Sequence, residues 1–325
     1  MLEGGSNDRA FLYWVLILIP SKMEDLNLLV FFMFPDFLPA IASQLTEATS
    51  IQLAQSIQRR AIATSLCSQP IETSYVCGGE GNPPILLLHG FDSSVLEFRR
   101  LLPLLAQSHQ TWAVDLLGFG FGDRVSSLTF SPGEIAVHLQ AFWQQVIQRP
   151  AILVGASMGG AVAISLTLKY PEMVDKLVLL DSAGLAKPPK IGKLMFPPFD
   201  RLATGFLRNP RVRQSISQAA YFDKSFANED ARICTELHLG CSYWQEALVA
   251  FTKSGGYGSF AEQLPEIQQP TLIIWGENDQ ILGIKDASQF ESLIPQSQLV
   301  WLSNCGHVPH LEQPLLTAEA ILKFL

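Results

Sequence analysis

The sequence predicts an α/β fold: a mostly parallel, doubly wound sheet with a mostly helical cap inserted between two strands. Three observations predict it. From residue 71 onward, short apolar runs rich in β-branched residues alternate with stretches of helical periodicity. The strand-like runs are apolar at successive positions, so both sheet faces must be covered, as in a parallel sheet between helix layers. The alternation breaks at Gly184 and resumes near Pro270, and the stretch between is rich in Pro, Phe and Gly.

In chain order, the first element is the oddest. Residues 11–19 and 26–34 are apolar runs, but Pro20 and Pro35 end them. Neither approaches the roughly 18–20 residues that a spanning helix needs. Ala40-Ile-Ala42 resembles a signal-peptide cleavage site, yet Glu3 and Asp8 stand where a basic flank is required. Residues 1–32 are therefore read either as an upstream extension, with Met23 or Met33 as the start, or as a membrane-surface segment. Residues 41–66 read as one amphipathic helix, with Ile41, Leu45, Ala48, Ile51, Ile57 and Ala61 on one face. Packing on the catalytic domain is preferred for it over lying on a membrane.

Strands are predicted at 71–76, 85–88, 112–115, 151–154, 177–181, 272–275 and 299–302. Helices are predicted at 96–106, 133–148, 158–169, 286–293 and 315–325. The resulting organisation is an N-terminal segment over 1–70, a core over 71–184 and 265–325, and a cap over 185–264.

Composition narrows the function. Hydrophobic residues make up 48% of the 325 and charged residues 16%, against about 25% charged in an ordinary soluble chain. That favours an apolar substrate or contact with lipid. A net charge of −8 argues against nucleic acid, which selects basic surfaces. The densest basic stretch, Arg208, Arg211 and Arg213, reads as a solvated face. Five cysteines, none in a C-x-x-C pair, match no zinc spacing and fit reduced thiols. No metal or organic cofactor is implied. A cytoplasmic site or a peripheral one on a membrane is expected.

The chemistry centres on Gly155-Ala-Ser157-Met-Gly159, between an apolar run and a small-residue helix. This strand–turn–helix context is that of a nucleophile elbow, in which a sharp turn lifts the serine oxygen clear of the fold. A neutral serine needs a base. His307, after the last predicted strand, is the candidate, with His310 as a competitor better suited to a structural role. The base needs an orienting carboxylate. Asp279, in Gly276-Glu-Asn-Asp279, is favoured, and Asp181 is the alternative. Oxyanion donors are expected from the backbone N–H groups of Met158 and Phe91. His89 reads as a loop organiser, and Asp115 as a residue that ties a turn. The cap aromatics Phe196, Phe199, Tyr221, Phe222, Trp244 and Phe251 are candidates to line an apolar substrate tunnel.

With His89-Gly90, Asp115-Leu-x-Gly-x-Gly, Gly155-Ala-Ser-Met-Gly-Gly160, Gly276-Glu-Asn-Asp279 and Gly306-His307 in this order, the chain resembles the α/β-hydrolase superfamily over about residues 71–325. Serine at 157 separates it from the dehalogenase and epoxide-hydrolase branches, which place Asp there. Residues 89–100 and 111–121 look like the plastid and cyanobacterial hydrolases that include chlorophyll dephytylase, although Ala156 stands where some members have Pro. The resemblance implies release of phytol from chlorophyll by ester hydrolysis. Other readings on the same fold are a general carboxylesterase, a C–C bond hydrolase, a perhydrolase or a ligand receptor without turnover.

Overall fold

The computed structural model describes residues 34–186 and 199–325. The apolar runs before residue 34 and the cap candidate Phe196 lie outside the described residues. The chain begins with a 3-10 turn (Ala40–Gln44), helix α1 (Ala48–Gln55) and strand β1 (Gln58–Ile62). Strands β2 (Ile71–Gly78) and β3 (Ile85–Leu88) follow, then a 3-10 turn (Val95–Phe98), the short helix α2 (Leu102–Leu105) and β4 (Thr111–Val114). Next come α3 (Pro132–Phe142), β5 (Ala151–Ala156), α4 (Met158–Lys169) and β6 (Val174–Leu180). Four cap helices separate β6 from β7 among the described residues: α5 (Phe199–Arg208), α6 (Pro210–Ala220), α7 (Glu229–Glu236) and α8 (Trp244–Lys253). The chain ends with β7 (Thr271–Gly276), α9 (Lys285–Leu293), β8 (Ser297–Leu302), α10 (Pro309–Glu312) and α11 (Pro314–Phe324).

The eight strands form one sheet in the order β1-β2-β4-β3-β5-β6-β7-β8. Pairings from β4 through β8 are parallel, and β1–β2 and β2–β4 are antiparallel. Every residue of β3, β5 and β7 is buried. This is the doubly covered sheet that their unbroken apolar runs predict. Alternate residues of each strand feed opposite core layers: Leu86 and Leu153 go to one, Leu87 and Val154 to the other. Ser131 and Glu134 close a capping box at the start of α3, a feature that contributes about 1 kcal/mol.

One predicted element is corrected. Residues 41–66 do not form a single helix. α1 stops at Gln55, and residues 58–62 pair antiparallel with β2, Gln58 opposite Tyr75 and Ile62 opposite Ile71. Only Ile62 of that strand is buried. An outer strand needs little apolar surface and benefits from charge, so Arg59 and Arg60 suit an edge as well as a helix face. The predicted helix at 96–106 is also broken, into the 3-10 turn and α2, with Pro103 near the start of α2.

The N-terminal segment is tied to the cap. Asp230 of α7 accepts hydrogen bonds from the N–H groups of Thr46 and Glu47 at 2.6 and 2.8 Å and from the Ser50 hydroxyl at 2.5 Å. Glu47 in turn holds Arg100 through two bonds of 2.6 and 2.8 Å.

Candidate active site

β5 ends at Ala156, and α4 begins at Met158. The single residue between them, Ser157, turns the chain with φ 52° and ψ −119°. Positive φ at a non-glycine residue costs of order 1–3 kcal/mol and persists only where the surroundings enforce it. Here the Ser157 N–H is held by the Leu180 carbonyl at 2.9 Å, and its own carbonyl accepts from Gly160 and Ala183. The glycines are required by space. A Cβ at Gly159 would lie 1.9 Å from the Leu88 carbonyl oxygen, and one at Gly155 would lie 2.2 Å from that of Gly159. The sheet and helix therefore approach closely only because these side chains are absent.

His307 follows β8 and is buried, its N–H donating to the Ala220 carbonyl at the end of α6 at 2.7 Å. Its Nδ1 lies 2.9 Å from Asp279 Oδ2. The other carboxylate oxygen of Asp279 accepts the N–H groups of Ile281 and Leu282 at 2.7 and 3.1 Å. Both oxygens are thus engaged, and the imidazole is presented with Nδ1 occupied. Ser157 and His307 line one cavity of about 280 Å3, together with Gly90, Phe91 and Tyr221. The structure brings these sequence-predicted residues together.

Asp181 is fully buried at the end of β6. Its Oδ1 accepts the Gly276 N–H at 3.0 Å, while Oδ2 has no partner among the described residues. Polar atoms of Asp181, Asp279 and His307 all lie within 4.8 Å of one another. Burial, and then the adjacent charge of Asp279, raise the Asp181 carboxyl well above its ordinary range, which favours its protonated form. His307 pairs with Asp279, and Asp181 stands behind that pair. These three donors lie at metal-ligand spacing, but the Nδ1–Oδ2 bond already joins two of them.

A folded-state pKa raised above the unfolded value means stability that is full below the unfolded pKa of about 4 and declines as pH rises toward the folded value. Asp181→Asn keeps an acceptor for Gly276 and a donor toward Asp279 without that decline. The variant is expected to gain in Tm over wild type as pH goes from 5 to 9, with turnover kept within about tenfold. Melting curves at several pH values check this, and a gain that shrinks with rising pH would contradict it.

The other edge of the cavity is the loop after β3. His89 is fully buried; its Nδ1 bonds the Gly90 carbonyl at 2.8 Å and its Nε2 accepts the Leu116 N–H at 3.1 Å. Burial lowers its pKa to about 4, so it is neutral and organises the loop. Asp115 accepts from Val95 and Phe121 N–H groups at 2.8 and 2.7 Å, and so ties the turn. Neither the Phe91 nor the Met158 N–H donates to a protein acceptor outside its own helix among the described residues, which leaves both for a ligand oxygen.

Several participants were not foreseen from sequence. Asp92, at φ 49°, accepts three cap side chains: Arg213 at 2.8 Å, Trp244 Nε1 at 2.8 Å and His238 Nε2 at 3.0 Å. Burial pushes its carboxyl up, but His238 and Arg213 outweigh that and hold it at about 2. Arg213 is thus a cap anchor and not part of a solvated face. Its other bonds go to the carbonyls of Thr235 and Leu207. Glu97 Oε2 accepts the Gly90 N–H at 2.9 Å, and its Oε1 is 3.3 Å from His310 Nε2. Burial raises the Glu97 carboxyl, and His310 and His89 bring it net down to about 2. His310 thus stands beside the carboxylate that braces the loop after β3.

Among the described residues, Tyr221 is the candidate cap aromatic that lines the cavity. Trp244 is buried on Asp92. Phe251 packs its ring 6.0 Å from that of Phe91 and 5.3 Å from that of Phe119. Phe222 is 44% exposed, with its N–H on Glu312. Phe199 opens α5. Trp244 and Phe251 thus pack between cap and sheet, where large rings give a small cap its core.

A family model described as alpha/beta hydrolase fold matches residues 83–314. Over 305 residues the chain is 33% identical to the alpha/beta hydrolase domain-containing protein VTE7 of Arabidopsis thaliana, and the match covers 90% of either chain. It is 27% identical over 259 residues to a 2-hydroxy-6-oxo-6-(2'-aminophenyl)hexa-2,4-dienoic acid hydrolase of Metapseudomonas resinovorans, covering 78% of this chain and 88% of that one. Among solved structures, a serine hydrolase involved in carbazole degradation (CarC enzyme) superposes with a TM-score of 0.69 at 25% identity, over 82% of this chain and 98% of that one.

Proposed function

The chain belongs to the α/β-hydrolase family, and on that premise we propose that it hydrolyses a hydrophobic carboxylic ester through an acyl-enzyme on Ser157. The observation that carries the reading is the meeting, in one cavity, of a serine on a strained turn and a histidine bonded to a buried carboxylate. His307 Nε2 takes the serine proton as Ser157 Oγ attacks the ester carbonyl. The N–H groups of Phe91 and Met158 receive the oxyanion, each supplying about 3–4 kcal/mol at the transition state. His307 then protonates the leaving alcohol. A water that gives its proton to the same nitrogen releases the acid.

The finer reading is dephytylation of chlorophyll to chlorophyllide and phytol. It is supported by the likeness of residues 89–100 and 111–121 to that branch and by the cavity mouth. Phe91, Ile216 and Ile281 line the cavity and are also 43%, 48% and 41% exposed. Such an apolar rim suits a substrate drawn from a lipid phase. A cavity of about 280 Å3 is at the small end for ligand sites, so it would take the ester arm and leave a macrocycle at the rim. Among the described residues no helix is long and apolar enough to cross a membrane. Peripheral contact with a thylakoid-type membrane, through this rim, belongs to the same proposal.

The test is incubation with chlorophyll a, following chlorophyllide and phytol by chromatography, beside Ser157→Ala. Product from wild type alone supports both levels of the reading. Hydrolysis of p-nitrophenyl esters without chlorophyllide keeps the esterase and removes the pigment. No hydrolysis of either substrate would favour a receptor.

A further inference from the structure

Arg99 sits at the end of the 3-10 turn after β3, with 1% of its surface exposed. It lines the same cavity as Ser157 and His307. Its Nη1 donates to the Leu96 carbonyl at 3.3 Å, while Nε and Nη2 have no hydrogen-bond partner among the described residues. The carboxylates whose field reaches it, Glu47 and Asp230, are engaged elsewhere. Glu47 is bonded twice to Arg100, and Asp230 to the Thr46 and Glu47 N–H groups and to Ser50. Arg213, the other arginine of the cavity, is spent on Asp92. A guanidinium cannot give up its charge at any working pH. Buried charges and donors are normally paired, and leaving one unpaired is costly. The neutral hydroxyl of Tyr221, close enough to interact with the guanidinium as a weak acceptor, and the thiol of Cys234 line the wall beside it, and neither supplies an anion.

We propose that Arg99 is a substrate subsite: its Nε–H and Nη2–H, which make no well-aligned bond and have no anionic partner, bind a second oxygen acceptor, a carboxylate or a ketone or ester carbonyl, carried by the acyl half of the ester cleaved at Ser157. The proposal rests on the esterase reading and narrows it. The substrate is apolar overall but bears an acceptor at a set distance from the scissile carbonyl. Two parallel donors on one planar group match a carboxylate edge and hold it in one orientation. The acyl half of chlorophyll meets the requirement through its ketone and methyl ester, and hemiesters of dicarboxylic acids meet it through a free carboxylate.

The experiment compares three p-nitrophenyl ester series of equal length: mono esters of succinic, glutaric and adipic acid, the same esters methyl-capped at the far end, and plain alkanoates. Wild type is expected to prefer one chain length of an acceptor-bearing series over the alkanoate by about 10- to 100-fold in kcat/KM, the range of hydrogen bonds to a charged group. A preference for the free acids identifies a carboxylate, and a preference for the capped esters identifies a carbonyl. Arg99→Met should bring the ratio toward one, and Arg99→Lys should leave it intermediate, because the charge stays and the fork is lost. If wild type turns over the alkanoates as well as both acceptor series at every length, the proposal is overturned and the esterase reading stands. Calorimetry on Ser157→Ala with monomethyl glutarate, dimethyl glutarate and methyl hexanoate reads binding without turnover. Tighter binding of an acceptor-bearing ligand upholds the subsite even where hydrolysis of every ester fails, and equal binding of all three overturns it. It also decides the matter should Arg99→Met fail to fold.

Discussion

Ser157→Ala is expected to lower kcat by about 10^4- to 10^6-fold with the fold intact, the loss seen when a nucleophile that works as a unit with its base is removed. His307→Ala should cost about as much, and the double variant little more. Asp279→Asn should cost about 10^4-fold, since an amide facing Nδ1 favours the wrong imidazole tautomer. Stability should move the other way at the elbow. Alanine keeps the Cβ that makes φ 52° unfavourable, whereas glycine adopts such angles freely. Ser157→Gly should therefore melt above Ser157→Ala, by the order of 1 kcal/mol less the entropy glycine gives the unfolded chain. Steady-state rates on a p-nitrophenyl ester, covalent labelling with a fluorophosphonate and paired melting curves read these outcomes. Labelling of the alanine variant would show that the reactive serine is elsewhere.

The contrast between Ser157 and its surroundings explains what the sequence could reveal. The elbow is local. Two glycines, a serine and an apolar strand within a few residues carry all the steric requirements, so the motif is readable along the chain. The sheet interior is readable for the same reason, because β3 and β5 are apolar at every position and few other structures bury such runs. β1 is not readable, since an edge strand with Arg59 and Arg60 shares its pattern with an exposed helix face. The choice between Asp279 and Asp181 is also a matter of space. Both follow parallel neighbouring strands, and only the position of the Asp279 loop gives it the 2.9 Å bond to His307. Asp92 and Arg213 lie 121 residues apart, and nothing near either residue announces the partner. Arg99 looks like one more surface cation in Phe98-Arg99-Arg100 until burial shows that Arg100 alone has carboxylate partners.

Breaking the Asp92 junction is expected to have the second-largest effect, on stability and on rate together. Its carboxylate is the one group through which Arg213, His238 and Trp244 of the cap grip the loop that presents the Phe91 N–H. Asp92→Asn is the cleaner test, because Asn tolerates the φ of 49° and retains an acceptor oxygen while the charge is lost. Leaving a buried guanidinium without its carboxylate costs about 3–5 kcal/mol, reduced here by the carbonyls of Thr235 and Leu207 that still hold Arg213. The folded carboxyl sits at about 2, below the usual value of about 3.9, so its contribution is full above pH 4 and disappears as pH falls through 2. The melting gap between wild type and Asp92→Asn should therefore narrow in acid by about 2 kcal/mol. At neutral pH a shifted Phe91 N–H should lower kcat by up to about 10^2- to 10^3-fold, the cost of one oxyanion donor. KM should change less, because that donor acts on the transition state. Arg213→Met, which touches no reacting atom, should reproduce part of the kcat loss, and a double-mutant cycle with Asp92→Asn should show strong coupling. If the variants lose stability while kcat holds, Asp92 only fastens the cap. A fall in kcat that tracks the coupling energy means that the cap, through this carboxylate, sets the geometry of the oxyanion site.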